Sequence, residues 1–259
     1  MKYYVTADVH SYFSELKLAL SQCGFFEDPE PHKLIICGDL YDRGLESLEL
    51  QQFILDLMEK DQIILIKGNH EDLAERLLNQ WHRGSYFDPV HSANHTIDTV
   101  CQLTQCSYSQ LSNEPDHVGR LFLRDPFIQR IIPAMLDYFE TDHYIFVHGW
   151  IPCEVVDTAC GEKVYQPIPQ WRDGTTEMWK KARWINGMEA AHKGIREKGK
   201  TIVCGHWHCS FGHCYYLDDG GEFDNDPNFG PYCNDDDGII ALDAATPTSH
   251  KVNCIVLED

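Results

Sequence analysis

Leu34-Ile35-Ile36-Cys37-Gly38-Asp39-Leu40-Tyr41-Asp42-Arg43-Gly44 is the stretch on which the reading of this chain turns. Its four apolar residues read as a strand buried on both faces, since such strands show a continuous apolar run rather than an alternation. The chain leaves the run through a glycine, which permits a sharp turn and a close approach of backbone to a ligand. Two carboxylates and a guanidinium follow at once. They fall at the carboxyl end of a strand, the edge where open α/β sheets place their ligands.

The same arrangement recurs on both sides of that stretch. Tyr3–Ala7 ends in Asp8-Val9-His10, and Ile63–Lys67 ends in Gly68-Asn69-His70-Glu71. Tyr144–Val147 ends in His148-Gly149, and Thr201–Cys204 ends in Gly205-His206-Trp207-His208. Gly238–Leu242 and Val252–Leu257 are further apolar runs. Helical spacing predicts helices over Ser14–Gln22, stopped at Gly24, and over Leu45–Lys60, Asp72–Trp81 and Thr176–Lys193. Short runs alternating with helices predict an α/β layered fold. One Asp or His at a strand end is ordinarily structural. Five coincident strand ends predict one shared site for metal binding or proton transfer.

The length of 259 residues suits a single domain over the whole chain. A long mixed stretch at about 82–133 is expected to be an irregular, cap-like insertion, and about 218–237 an acidic loop with a solvated surface. That loop lacks the ligand spacing of a calcium-binding loop. Apolar residues at 43% and charged residues at 24% describe an ordinary globular chain and exclude disorder. No apolar run approaches the ~20 residues of a membrane span. The N-terminus enters a strand pattern without the apolar core of a signal peptide, so a cytoplasmic location is expected. The net charge of −20 opposes binding to a nucleic-acid backbone. It leaves local phosphate binding open, because bound cations can reverse the charge of one cleft. The eleven cysteines read as free thiols, with Cys37 and Cys204 in the core. Cys204, Cys209 and Cys214 with His213 form an alternative zinc set, though without the usual paired short gaps.

The five strand-end segments resemble the calcineurin-like metallophosphoesterase superfamily. Gly38-Asp39, Asp42-Arg43-Gly44 and Gly68-Asn69-His70-Glu71 resemble its phosphoprotein phosphatase branch, with bacterial serine/threonine protein phosphatase-like members closest. The motifs span residues 8–208. Two departures stand out: Ala7 and Ser11 flank the first motif where the branch usually has glycine, and His208 adds a second histidine that eukaryotic protein phosphatases lack.

The resemblance implies a four-layer α/β/β/α sandwich with a dinuclear metal site at the carboxyl ends of the strands. By the same resemblance, Asp8, His10, His208 and a bridging Asp39 hold one metal, and Asp39, Asn69, His148 and His206 the other. Mixed carboxylate and imidazole ligands suit Mn first, with Fe, Zn or Co also compatible. His70 is the implied general acid, Asp42 its carboxylate partner and Arg43 the phosphate ligand, with a surface ion pair as the plainer reading of Arg43. Arg183 is a weaker second phosphate clamp, which a solvated helix face explains nearly as well. Trp150 and Trp207 either wall the cleft or simply pack. His82, His91, His95 and His117 read as surface residues. Asn94-His95-Thr96-Ile97-Asp98-Thr99 resembles a family stretch, Asn-Gly-Gly-x-x-Thr, near the substrate, with His95 in place of a glycine.

The implied function is a metal-dependent phosphatase, most naturally a phosphomonoesterase acting on phosphoserine or phosphothreonine in proteins. Symmetrical hydrolysis of dinucleoside polyphosphates, or of another nucleotide or small phosphoester, is the alternative. An inactive binding protein on the same fold is disfavoured because every expected ligand is present. A nuclease is opposed by the charge.

Overall fold

Leu34 and Ile36 face one side of their strand, Ile35 and Cys37 the other, and all four are fully buried. A strand with no wet face needs a layer on each side, and that requirement organises the molecule. The structure is a computed structural model describing residues 1–83, 88–157 and 163–259. Its strands are β1 (Lys2–Thr6), β2 (His32–Cys37), β3 (Ile63–Ile66), β4 (Phe139–Glu140), β5 (Tyr144–Phe146), β6 (Cys153–Asp157), β7 (Lys163–Pro167), β8 (Thr201–Cys204), β9 (Tyr232–Asn234), β10 (Ile239–Ala241) and β11 (Cys254–Glu258).

One sheet has the order β11-β1-β2-β3, with β1, β2 and β3 parallel and β11 antiparallel at the edge. The second has the order β4-β5-β8-β10-β9, with β5, β8 and β10 parallel between antiparallel edges. A hairpin of β6 and β7 stands apart from both. Tyr3, Val5, Ile35, Cys37 and Ile66 of the first sheet meet Phe146, Val203 and Leu242 of the second in one core between them. On the outer face of the first sheet, Tyr4, Leu34 and Ile36 pack against Leu16 and Leu20, Leu50 and Ile54, and Leu77 and Trp81 from helices Phe13–Cys23, Ser47–Glu59 and Asn69–His82. On the outer face of the second, Ile145 and Ile202 pack against Trp179, Met188 and Ala191 from helices Thr176–Ala182 and Gly187–His192. These are the four expected layers.

Four sequence expectations differ from the structure. The third helix starts at Asn69, so the Gly68-Asn69-His70-Glu71 motif is itself the first helical turn. The stretch read as one helix over Thr176–Lys193 is broken after Ala182. Asn186 caps the second piece by accepting a hydrogen bond from the Glu189 amide at 3.2 Å. The stretch at about 82–133 is helical over Pro89–Ala93, Thr96–Thr104, Tyr108–Asn113 and Pro115–Arg124, and its Val100, Leu103, Val118 and Phe122 join the core outside the first sheet. Its short helices are separated at Asn94-His95, at Gln105-Cys106-Ser107 and at Glu114, which masks the apolar period in the sequence. Within about 218–237, Tyr232–Asn234 is the edge strand β9 rather than loop. Among the described residues, no helix is long and apolar enough to cross a membrane.

Candidate functional site

Three of the five strand-end motifs leave their strands through left-handed turns. Asp8, His10, Asp39, Asp42, Arg43 and His206 all have φ between 51° and 74°. Such conformations cost energy for non-glycine residues and gather where a site requires them. The first two loops are stitched together by His10 N–H to Asp39 O at 3.0 Å and Ser11 N–H to Leu40 O at 2.8 Å. Gly205 and Gly68 are there for room: a Cβ on Gly205 would overlap the Asp8 carboxylate, and one on Gly68 the Asp39 carboxylate.

Glu71, fully buried, fixes the second and third loops to each other. Its carboxylate accepts from Gly68 N–H at 2.7 Å, Leu40 N–H at 3.0 Å and Asp39 N–H at 3.2 Å. The sequence reading quoted this residue without a role. It holds the Asp39 backbone in place and leaves the Asp39 side chain free for other partners.

Asp39 Oδ1 accepts from the His70 amide at 3.0 Å, and imidazole nitrogens and an amide oxygen crowd around the same carboxylate. His148 donates Nδ1–H to Cys37 O at 2.8 Å, which leaves its Nε2 2.7 Å from Asn69 Oδ1 and 3.3 Å from Asp39 Oδ1. His206 joins His148 and Asp39 as a group whose ligand atoms lie within 4.8 Å of one another. On the other side of Asp39, His10 Nε2 and His70 Nε2 each lie 3.8 Å from Oδ2, a second such group. Electron-pair donors crowded this closely repel unless a proton or a cation lies among them, and the donor set suits a divalent transition metal. Without a cation, a proton takes that place. Burial pulls His148 down, yet the charge and hydrogen bond of Asp39 outweigh it and push the imidazole up to about 10. Burial pushes Asp39 up, but His148 and His70 hold it well below the usual carboxylate range. His206 falls to about 3 through burial and the neighbouring His148. Asp39 is thus the carboxylate common to both groups.

Asp8 stands one step back. Its carboxylate accepts from the His206 amide at 2.9 and 3.1 Å. Burial, Asp243 and Asp39 raise it well above the ordinary range. Asp243 follows β10 at the end of the Gly238–Leu242 run. It makes a sixth polar strand end, legible by the same rule that found the other five.

His70 lies beside the shared carboxylate and pairs with a different one. Its Nδ1 is 2.6 Å from Asp42 Oδ2. Thr96 and Thr99 donate to Asp42 Oδ2 and Oδ1 at 2.9 and 2.7 Å. The Asn94–Thr99 stretch therefore acts on the site through Asp42, and His95 stays exposed. Burial works against a charged His70, but Asp39 and Asp42 raise it overall. Arg43, exposed at the mouth, donates Nη1–H to His10 Nε2 at 2.8 Å and Nη2–H to His70 Nε2 at 3.1 Å.

Other side chains lie outside the two groups. His208 belongs to neither: its Nε2 meets Glu222 Oε1 at 2.7 Å, and its ring lies 4.4 Å from that of Phe223. The acidic loop supplied a partner that motif spacing could not show. Arg183 is buried and bonded to Lys67 O at 3.1 Å, to Asp72 Oδ2 at 2.7 Å and to Asp137, so all three of its nitrogens are engaged in bracing the fold. Trp150 packs, with Nε1–H donated to Ile195 O at 3.1 Å. Trp207 stacks on His208 at the cleft edge. His91 is buried against Gln80, at 2.7 Å, rather than on the surface. His213 faces Asp219 at 3.1 Å, and Cys204, Cys209, Cys214 and His213 are not among the groups of clustered ligand atoms found among the described residues. Trp184 was missed; exposed, it meets His206 edge-on with centroids 5.7 Å apart.

The profile of the calcineurin-like phosphoesterase family matches residues 1–219. A serine/threonine-protein phosphatase 1 of Salmonella typhimurium is 38% identical over 71 residues, covering 27% of this chain and 30% of that protein. An asymmetrical bis(5'-nucleosyl)-tetraphosphatase of Bacillus velezensis is 25% identical over 120 residues, covering 44% and 47%. The chain thus spans less than half the length of these curated relatives. A solved cold-active protein tyrosine phosphatase shares the fold with a TM-score of 0.52 at 15% identity, over 99% of this chain and 73% of that one. The chain belongs to the calcineurin-like phosphoesterase family.

Proposed function

We propose that this member of the calcineurin-like phosphoesterase family hydrolyses phosphomonoesters at a dinuclear metal centre, with phosphoserine- or phosphothreonine-bearing protein as substrate. The observation that carries the reading is Asp39, one buried carboxylate shared by two groups of ligand atoms. We assign Asp8, His10 and Asp39 to one cation and Asp39, Asn69, His148 and His206 to the other, with Mn as first choice. Such a pair supplies Lewis acidity toward the phosphoryl oxygens and an activated water at neutral pH.

The chain's own groups do the rest. Glu71 holds the Asp39 backbone so that its two carboxylate oxygens face opposite ligand groups. Arg43 reaches the site mouth with both terminal nitrogens directed inward, and a phosphate dianion is a stronger acceptor for it than two imidazoles. Engaging the phosphate frees His70 Nε2. Asp42 holds Nδ1–H and favours the charged ring, so Nε2–H faces the substrate and can protonate the departing alkoxide. Thr96 and Thr99 keep the Asp42 carboxylate oriented.

A second reading, hydrolysis of a dinucleoside polyphosphate at the same centre, is favoured by the matched bis(5'-nucleosyl)-tetraphosphatase. Turnover of p-nitrophenyl phosphate, a phosphothreonine peptide and diadenosine tetraphosphate, before and after chelation and with Mn added back, tests the proposal. Metal-restored turnover is expected. Full activity after exhaustive chelation refutes it.

A further inference from the structure

One imidazole nitrogen in the site is claimed from two sides. His10 Nδ1 lies 2.9 Å from Tyr41 O, and a carbonyl oxygen only accepts, so Nδ1 carries the hydrogen and Nε2 holds the ring's lone pair. That lone pair is the ligand atom proposed for a cation. In the structure it accepts Nη1–H of Arg43 at 2.8 Å, while the other arm of the same guanidinium, Nη2–H, reaches His70 Nε2 at 3.1 Å. One lone pair cannot serve a guanidinium and a metal ion together. A cation therefore gains His10 only when Arg43 withdraws from it.

The other ligand group carries no such competitor. Among the described residues, no arginine or lysine bonds to Asn69, His148 or His206, and with Asp39 these supply four ligands. On the Arg43 side Asp8, His10 and Asp39 supply three, and His208 is held by Glu222 at 2.7 Å. The two cation sites are thus unequal, and Arg43 is the part free to change that. It is exposed, while Asp42 and Gly44 on either side of it are buried, so the guanidinium can swing outward on a fixed backbone. A phosphate dianion matches the guanidinium fork and carries charge, so it draws Arg43 off two imidazoles. That exchange bares His10 Nε2 and brings negative charge beside it, and both changes favour a second cation. Linkage makes the effect reciprocal: the second cation tightens phosphate by the same factor.

We propose that Arg43 couples phosphate binding to metal loading: one cation binds independently at Asp39, Asn69, His148 and His206, and the second binds at Asp8, His10 and Asp39 together with phosphate. This rests on the dinuclear centre proposed above and gives it an order of assembly. The test uses the full chain freed of metal by chelation and its Arg43→Met variant, which keeps the length of the side chain and removes its donors. Mn is titrated by calorimetry with and without saturating inorganic phosphate, and electron paramagnetic resonance separates an isolated Mn ion from a coupled pair. Without phosphate the wild type should bind one Mn tightly and a second at least about tenfold more weakly; phosphate should tighten the second and raise the coupled-pair signal. Arg43→Met should bind the second Mn about tenfold tighter than wild type without phosphate, with the first unchanged, as expected when one charge-assisted hydrogen bond no longer competes for the ligand atom. The factor by which phosphate tightens the second Mn should fall by a similar amount, since direct ligation of phosphate by the cations acts in both proteins. Equal factors in the two proteins overturn the coupling. So does equal tightening of both Mn ions in Arg43→Met, which loss of a positive charge alone would produce. Two equal Mn sites in the wild type without phosphate overturn the coupling and leave the dinuclear reading standing. A wild type that binds fewer than two Mn even with saturating phosphate overturns both.

Discussion

Replacing Asp42 by Asn separates proton donation from metal binding. The carboxylate accepts from His70 Nδ1–H at 2.6 Å and from two threonine hydroxyls, and it touches none of the proposed metal ligands except through His70. Asn has the same shape, and its amide can still accept from one threonine and donate to the other. The fold should survive, with a loss near the ~1–2 kcal/mol of one weakened buried hydrogen bond. The proton donor fares worse. His70 is buried, and burial alone favours the neutral ring; Asp39 and Asp42 together reverse that. With Asp42 neutral, burial and Arg43 oppose Asp39 alone, so the pKa of His70 drops. The sign follows from the role: catalysis needs the protonated ring, so the rate falls as pH rises through the His70 pKa. In Asp42→Asn that alkaline limb should move to lower pH. At pH 8, kcat for alkyl phosphates should fall by roughly 10²–10³, within the usual worth of a general acid. The loss for p-nitrophenyl phosphate should be much smaller, because p-nitrophenolate leaves without a proton. The assay is kcat against leaving-group pKa for wild type and variant, with metal content measured on the same samples. Equal losses for good and poor leaving groups, with chemistry rate-limiting, refute the role of Asp42 and His70. So does loss of metal from Asp42→Asn.

Asp39→Asn should lose metal and activity together for every substrate, since it removes the charge common to both ligand groups; elemental analysis beside kcat checks this, and retained stoichiometric metal counts against a bridging role. Glu71→Ala leaves three buried N–H donors without an acceptor, each worth about 1–3 kcal/mol. A clear drop in the thermal midpoint even without metal is expected, and a midpoint within error of wild type argues against Glu71 as the brace. Glu140 is held down to about 2 by Arg172, through hydrogen bonds at 2.7 and 2.8 Å, and by Lys200. A depressed carboxyl stabilises above its ordinary range and loses that contribution as pH falls through the folded value. Glu140→Gln should therefore lower stability at pH 7 by up to ~1 kcal/mol, given its partial exposure, and not near pH 2, read by denaturant titration.

The part of the site that was legible is the part built from strand ends. An apolar run with a glycine and an Asp, Asn or His at its end reports its own position, because a parallel strand buried on both faces has one edge where chemistry can sit. Asp39, Asn69, His70, His148 and His206 were found this way, and Asp243 obeys the same rule although the reading stopped one residue short of it. What the sequence withheld concerns side chains whose partners lie far along the chain. His208 sits two residues from His206, and spacing alone treats them alike. Glu222 in the acidic loop claims the His208 imidazole. Arg183 occupies a helical pattern beside Lys180 and Lys181 and reads as one of a solvated cluster. It is the break at Ala182 that turns its guanidinium onto Asp72 and Asp137, 111 and 46 residues away. The same break leaves Trp184 outside any helix and beside His206. A helix predicted straight through Thr176–Lys193 gives no reason for that indole to stand at the cleft. Local periodicity thus located the residues at the strand ends. The surroundings of Arg183, Trp184 and His208 were set by one helix break and one loop contact, and a period of 3.6 does not encode either.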